Sequence, residues 1–152
     1  MFKDKIMIAG MAGFLGILAD EFIEWLAFLF KIVDSVTIHM IGNIIFSAHQ
    51  LNVPQLIIAE IAHLIAGFVL GLIPFAFYLW AGPKHSLLKG MGIGAGLWLN
   101  HAVFIPSLVD GRVHLIPTIM SLIVELIAII VWGIVSFGFI VKCCDRDTRL
   151  TE

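Results

Sequence analysis

The hydrophobic positions of the chain fall into four long runs separated by short polar stretches. The runs lie near residues 6–33, 54–81, 87–106 and 117–141. Each has about the 20 apolar residues that a transmembrane helix needs. Residues 64–80 have no polar face of the kind that a helix in a soluble bundle would turn to water. The pattern predicts an all-α integral membrane protein, a single domain spanning residues 1–152, with four helices in an up-down bundle.

The segment 34–53, between the first two runs, differs from an ordinary loop. It is too apolar to extend freely into water and too short to cross a bilayer and return as two full helices. We therefore expect an interfacial or re-entrant segment that lies across the outer mouth of the bundle. At the other end of the chain, residues 143–152 are predicted to form a cytoplasmic tail.

Composition and charge narrow the class of protein further. The chain is 61% hydrophobic and 13% charged, with a formal net charge of −2, which argues against a nucleic-acid partner and makes the lipid bilayer the expected surrounding. The basic residues are divided unequally between the two sides of the predicted bundle. Those on one side are Lys3, Lys5, Lys84, Lys89, Lys142, Arg146 and Arg149, and those on the other are Lys31 and Arg112. Basic loops stay inside, so both termini are predicted to be cytoplasmic.

Every predicted helix carries an ionisable group at a similar depth. Counted at 1.5 Å per residue, Glu24, His63, His101 and Glu125 lie roughly 7–13 Å from the outer ends of their helices. Glu60 lies one turn from His63, on the same face. Such groups are costly within a membrane unless they find partners, so we expect them to meet in one site.

The residue types at this depth favour a metal centre. The predicted ligands are Glu21, Glu24, Glu60, Glu125, His63 and His101. Carboxylates combined with imidazoles suit one or two transition-metal ions, namely zinc, iron or manganese, and dimetal sites of this kind occur inside four-helix bundles. The residues expected to support the ligands are Asp20, Asn100, Ser121 and His49.

Several functions are compatible with these residues. We favour a membrane metalloenzyme that acts on a lipid or another hydrophobic substrate, with Glu21 or Asp20 as the general base. The same residues also suit a small proton- or cation-coupled carrier or channel, and they would equally serve as hydrogen-bonding contacts between helices. A haem held by His63 and His101 is a further alternative, although it leaves the carboxylates unexplained.

Glycines are frequent on the helix faces, and Gly92 and Gly96 form a small-xxx-small surface that would suit contacts within one chain or between copies in a homo-oligomer.

The stretch Leu87–Trp98, followed by Pro117–Ser121 and Val131–Gly133, resembles small uncharacterised four-helix membrane proteins of bacteria. The likeness covers about the last third of the chain. It implies a bacterial inner-membrane setting and carries no activity with it.

Overall fold

A computed structural model describes residues 4–47, 50–104 and 118–149 of the chain. These ranges are helical, with no strand among them, which confirms the all-α prediction. The helices are α1 (Lys5–Leu29), α2 (Thr37–Phe46), α3 (Val53–Leu70), α4 (Leu72–Ala81), α5 (Ser86–Leu99), a π-helical turn (Asn100–Phe104) and α6 (Ile119–Arg149).

Local sequence explains where two of the long helices begin. The Asp4 side chain accepts a hydrogen bond from the backbone N–H of Ile6 at 2.8 Å and so caps α1. At α3, Asn52 and Gln55 form a reciprocal capping box, with bonds of 2.9 and 3.0 Å between each side chain and the other residue's N–H. These bonds satisfy N–H groups that have no partner within the helix.

Three helical stretches of the described chain are long and apolar enough to span a membrane. They are Lys5–Leu29, Val53–Ala81 (α3 together with α4) and Ile119–Asp145. Large apolar side chains such as Ile65 and Val69 are more than half exposed along the second stretch. An exposed apolar surface of this extent is expected in lipid rather than in water. The prediction of a membrane protein is confirmed at this level.

The helix bounds differ from the predicted runs in four places. The first helix ends at Leu29 instead of continuing to residue 33, and the run 54–81 is divided at Gly71. The run 87–106 becomes α5, of 14 residues, followed by the π-helical turn. The last helix continues to Arg149, because residues 142–149 contain no glycine or proline that would end it. Most of the predicted cytoplasmic tail is therefore helical.

The order of packing places α6 at the centre. It packs against α5 on one side and against α1 and α4 on the other, while α1 also contacts α3, and α2 contacts α3. Glycines allow these approaches: a Cβ on Gly13 would collide with the backbone of Gly67 and Gly71, and one on Gly94 with the backbone of α6. The Trp132 indole N–H also donates to the Gly13 carbonyl at 3.2 Å, which joins α6 to α1.

Candidate functional site: an acidic cavity between the helices

A cavity of about 200 Å³ lies between α1, α2, α3, α5 with its π-helical turn, and α6. Most of its wall is apolar. The polar side chains on the wall are Asp20, Glu24, Thr37, His63, His101 and Glu125. The cavity therefore combines three carboxylates with two imidazoles, and no lysine or arginine from the described ranges lines it.

The more deeply buried of two contacts between ionisable side chains joins α1 to α3. His63 Nδ1 lies 2.9 Å from Glu21 Oε1, and both side chains are no more than 10% exposed. Glu60, one turn before His63 on α3, is half-buried, and its charged neighbours are the Glu21 carboxyl group and the His63 imidazole. Glu60, Glu21 and His63 thus form a row of neighbouring ionisable side chains that ends at the cavity wall.

A second contact ties α2 to α1. The backbone N–H of Thr37 donates to Glu24 Oε2 at 2.7 Å, and the Thr37 hydroxyl donates to Glu24 Oε1 at 2.5 Å. Thr37 is the first residue of α2, so the Glu24 carboxylate lies at the positive end of this helix. These two bonds hold α2 against the cavity, where Met40, Ile41 and Ile44 contribute to the wall.

A third contact joins the π-helical turn to α6. His101 Nδ1 lies 3.4 Å from Glu125 Oε1, and the two side chains are about one-fifth exposed. His101 follows Gly90 and Gly94 at helical spacing, on the face of α5 that packs against α6, and so it reaches Glu125. π-helical turns are frequent at functional sites.

Asp20 differs from the other acids. Its side chain lies on the cavity wall and the residue is only 6% exposed. Among the described residues it has no hydrogen-bond or ion-pair partner, and its nearest charged neighbours are the carboxylates of Glu24, Glu21 and Glu125. A buried carboxylate in such surroundings needs a proton or a positive ligand.

The structure brings most of the predicted ligands together, although not all of them. Glu24, His63, His101 and Glu125 face one cavity. Glu21 lies behind His63, and Glu60 lies further out and does not line the cavity. Within the described ranges, no group of three or more His, Cys, Asp or Glu side chains is close enough to hold a metal ion.

The residues predicted to support the ligands have separate positions. Asp20 is on the cavity wall, whereas Asn100 is exposed. Ser121 bonds Thr118 at 2.8 Å and lines a smaller pocket next to Glu24 and Glu125. His49 lies outside the described residues. Sequence reasoning missed Thr37, although a hydroxyl residue after the polar stretch 34–35 is typical of a helix start.

Comparison with protein-family models, with curated proteins and with solved structures finds no match for this chain. The site is therefore interpreted from its own geometry.

Proposed function

We propose that the protein is a small proton- or cation-coupled membrane carrier whose binding site is the acidic cavity. The observation that carries this proposal is Asp20, a buried carboxylate on the cavity wall with other carboxylates as its charged neighbours. Ionisable residues within membrane helices commonly mark ion or proton pathways. A cation or a proton entering the cavity would supply the positive charge that the described wall lacks.

The row Glu60–Glu21–His63 would serve as the path of protons into the cavity. An imidazole can accept a proton on one ring nitrogen and release one from the other, so His63 can pass protons from Glu21 to the cavity. The half-buried Glu60 would exchange protons with the outside of the bundle. In this proposal Glu60 affects the rate at which protons enter the cavity, and Asp20 binds the proton or cation.

The same proposal includes a topology. Residues 86–104, counted along α5 and the π-helical turn, extend roughly 28 Å, close to the thickness of a bilayer core. We place this stretch as the third of four crossings in an up-down bundle. Both termini would then be cytoplasmic and the setting a bacterial inner membrane, as the basic loops and the resemblance of the last third of the chain favour.

Flux in liposomes tests the carrier. The purified chain is reconstituted with an internal pH-sensitive dye, and a potassium diffusion potential drives protons inward. We expect uptake with the wild-type protein, loss of uptake in Asp20→Asn, and slower uptake in Glu60→Gln. Asp34→Asn, an identical change at an exposed position, is the control and should keep wild-type uptake. Equal flux in Asp20→Asn and Asp34→Asn would refute the proposal.

A resident metal is the second candidate, because His63 and His101 face the same cavity as Glu24 and Glu125. Zinc, iron or manganese suits these donors, provided that the side chains converge on the ion, and such an ion would polarise a substrate or activate water. Elemental analysis of the purified chain tests it: stoichiometric metal that is lost in His63→Ala and in His101→Ala would support a metal centre.

Haem does not fit the cavity. The cavity has a volume of about 200 Å³, which is below the roughly 300–1,000 Å³ of pockets that hold drug-sized ligands. A porphyrin is at least as large as such a ligand. We therefore do not propose a haem between His63 and His101.

A further inference from the structure

The second large feature of the structure is a groove on the outside of the bundle, between α4 and α5. It encloses about 590 Å³ and is considerably more open than the acidic cavity. Ile73 and Phe77 form the α4 side, and Leu88, Gly92 and Gly96 line the α5 side. Both helices pack against α6, and every residue that lines the groove belongs to α4 or α5.

The glycines of α5 divide between two faces with different roles. A Cβ on Gly90 or Gly94 would collide with the backbone of α6, so these two residues serve the contact within the chain. A Cβ on Gly92 or Gly96 would meet nothing within 4 Å. The groove therefore lies over Gly92 and Gly96, where the absence of side chains leaves open space beside α5.

A positive charge lies at one end of this groove. Lys89 is part of its lining, and the Lys89 ammonium donates to the carbonyl oxygens of Ala81 at 2.6 Å and Gly82 at 2.8 Å. An ammonium group has three N–H donors, so one remains for another acceptor. No carboxylate of the described residues lies within ion-pair distance of Lys89, and the exposed Lys84 adds charge in the same turn.

We propose that this groove binds an anionic phospholipid, with an acyl chain along Gly92 and Gly96 and the phosphate at Lys89. An apolar channel open to the side of a membrane helix pair suits an acyl chain, and basic pockets between transmembrane helices bind anionic headgroups. The lipid would come from the leaflet on the side of the α4–α5 turn. Leu97 lines both the groove and the acidic cavity, so the chain end would lie next to the proposed carrier site.

Native mass spectrometry of the delipidated full chain tests the lipid site, with phosphatidylglycerol and phosphatidylcholine as the added lipids. We expect the wild type to prefer phosphatidylglycerol by about fivefold, the effect of one basic residue near an anionic group. Gly96→Leu fills the groove and should lose most of the binding of both lipids. Lys89→Gln should keep binding but lose the preference, and Lys89→Arg should restore it.

Gly138→Leu is the matched control, because Gly138 also has open space around it and does not line the groove. It should bind lipid as the wild type does. Unchanged binding in Gly96→Leu would overturn the proposal. So would a dimer, measured by light scattering, that Gly96→Leu separates, because the occupant would then be a second copy of the chain. Asp20→Asn should leave lipid binding unchanged, so a failure of the carrier proposal is distinguishable from a failure of this one.

Discussion

The imidazole of His63 lies 2.9 Å from the carboxylate of Glu21, a contact that joins α3 to α1 across 42 positions of the chain. Both side chains are almost fully buried. In a low-dielectric interior this contact is strong, and removing one partner leaves the other without compensation. The pair therefore fixes the relative position of two helices and also delivers His63 to the cavity.

The first prediction concerns this pair. His63→Leu should lower the free energy of unfolding by about 3 kcal/mol, because the Glu21 carboxyl group loses its buried partner. Unfolding in mixed micelles of detergent and SDS measures the change. Asp34→Asn, at an exposed position, should stay within about 0.5 kcal/mol of the wild type. The interpretation fails if His63→Leu costs no more than this control.

The second prediction concerns the attachment of α2. Thr37→Val removes the hydroxyl bond to Glu24 and keeps the N–H bond, whereas Glu24→Ala removes both. A hydrogen bond to a charged group contributes about 1.5–3 kcal/mol, so Thr37→Val should loosen α2 by that amount and Glu24→Ala by more. Hydrogen–deuterium exchange of the α2 amides reports the loosening. Equal protection of α2 in Glu24→Ala and in the wild type would show that α2 is held by other contacts.

The third prediction compares two glycines on one helix. Gly92→Ala adds a methyl group in open space and should stabilise α5 by up to about 1 kcal/mol, since alanine is the better helix former. Gly94→Ala places the same methyl group against the backbone of Ile129 and Ile130 and should destabilise the protein by about 1–3 kcal/mol. SDS unfolding of both variants provides the comparison. The α5–α6 packing would be contradicted if the two changes had the same sign.

The fourth prediction tests the proposed topology with single cysteines. Lys31 follows α1 and Lys84 lies in the turn after α4, and both are exposed. Because one membrane crossing separates them, Lys31→Cys and Lys84→Cys should react with an impermeant maleimide from opposite sides of the membrane. Both native cysteines are first replaced, as Cys143→Ser and Cys144→Ser. Labelling from the same side would exclude the up-down arrangement.

Much of the fold follows from the sequence alone. Three of the four predicted runs contain helices long and apolar enough to span a membrane. Length and apolar content identify these runs, because a bilayer of a given thickness requires a minimum number of apolar residues. The common depth of Glu24, His63, His101 and Glu125 follows from counting along the helices, because rise per residue is constant. These four residues do face one cavity in the structure.

Other features could not be read from the chain. The division of the α5 glycines depends on which face of this helix meets α6. It is a consequence of helix rotation, which apolar sequence on all sides leaves undetermined. For the same reason the sequence predicted Glu21 and Glu60 as metal ligands, although neither lines the cavity. The break at Gly71 has a local cause instead, because Pro74 has no N–H to bond the Leu70 carbonyl four residues earlier.

The sequence by itself determined the membrane class and the all-α fold, because apolar composition and helical periodicity are local properties of the chain. Tertiary structure decided which polar groups pair. Helix rotation joins Glu21 to His63 and Glu24 to Thr37, and it leaves Asp20 facing the cavity. A polar side chain within a membrane must find its partner on another helix, and only the packing of the helices sets that choice.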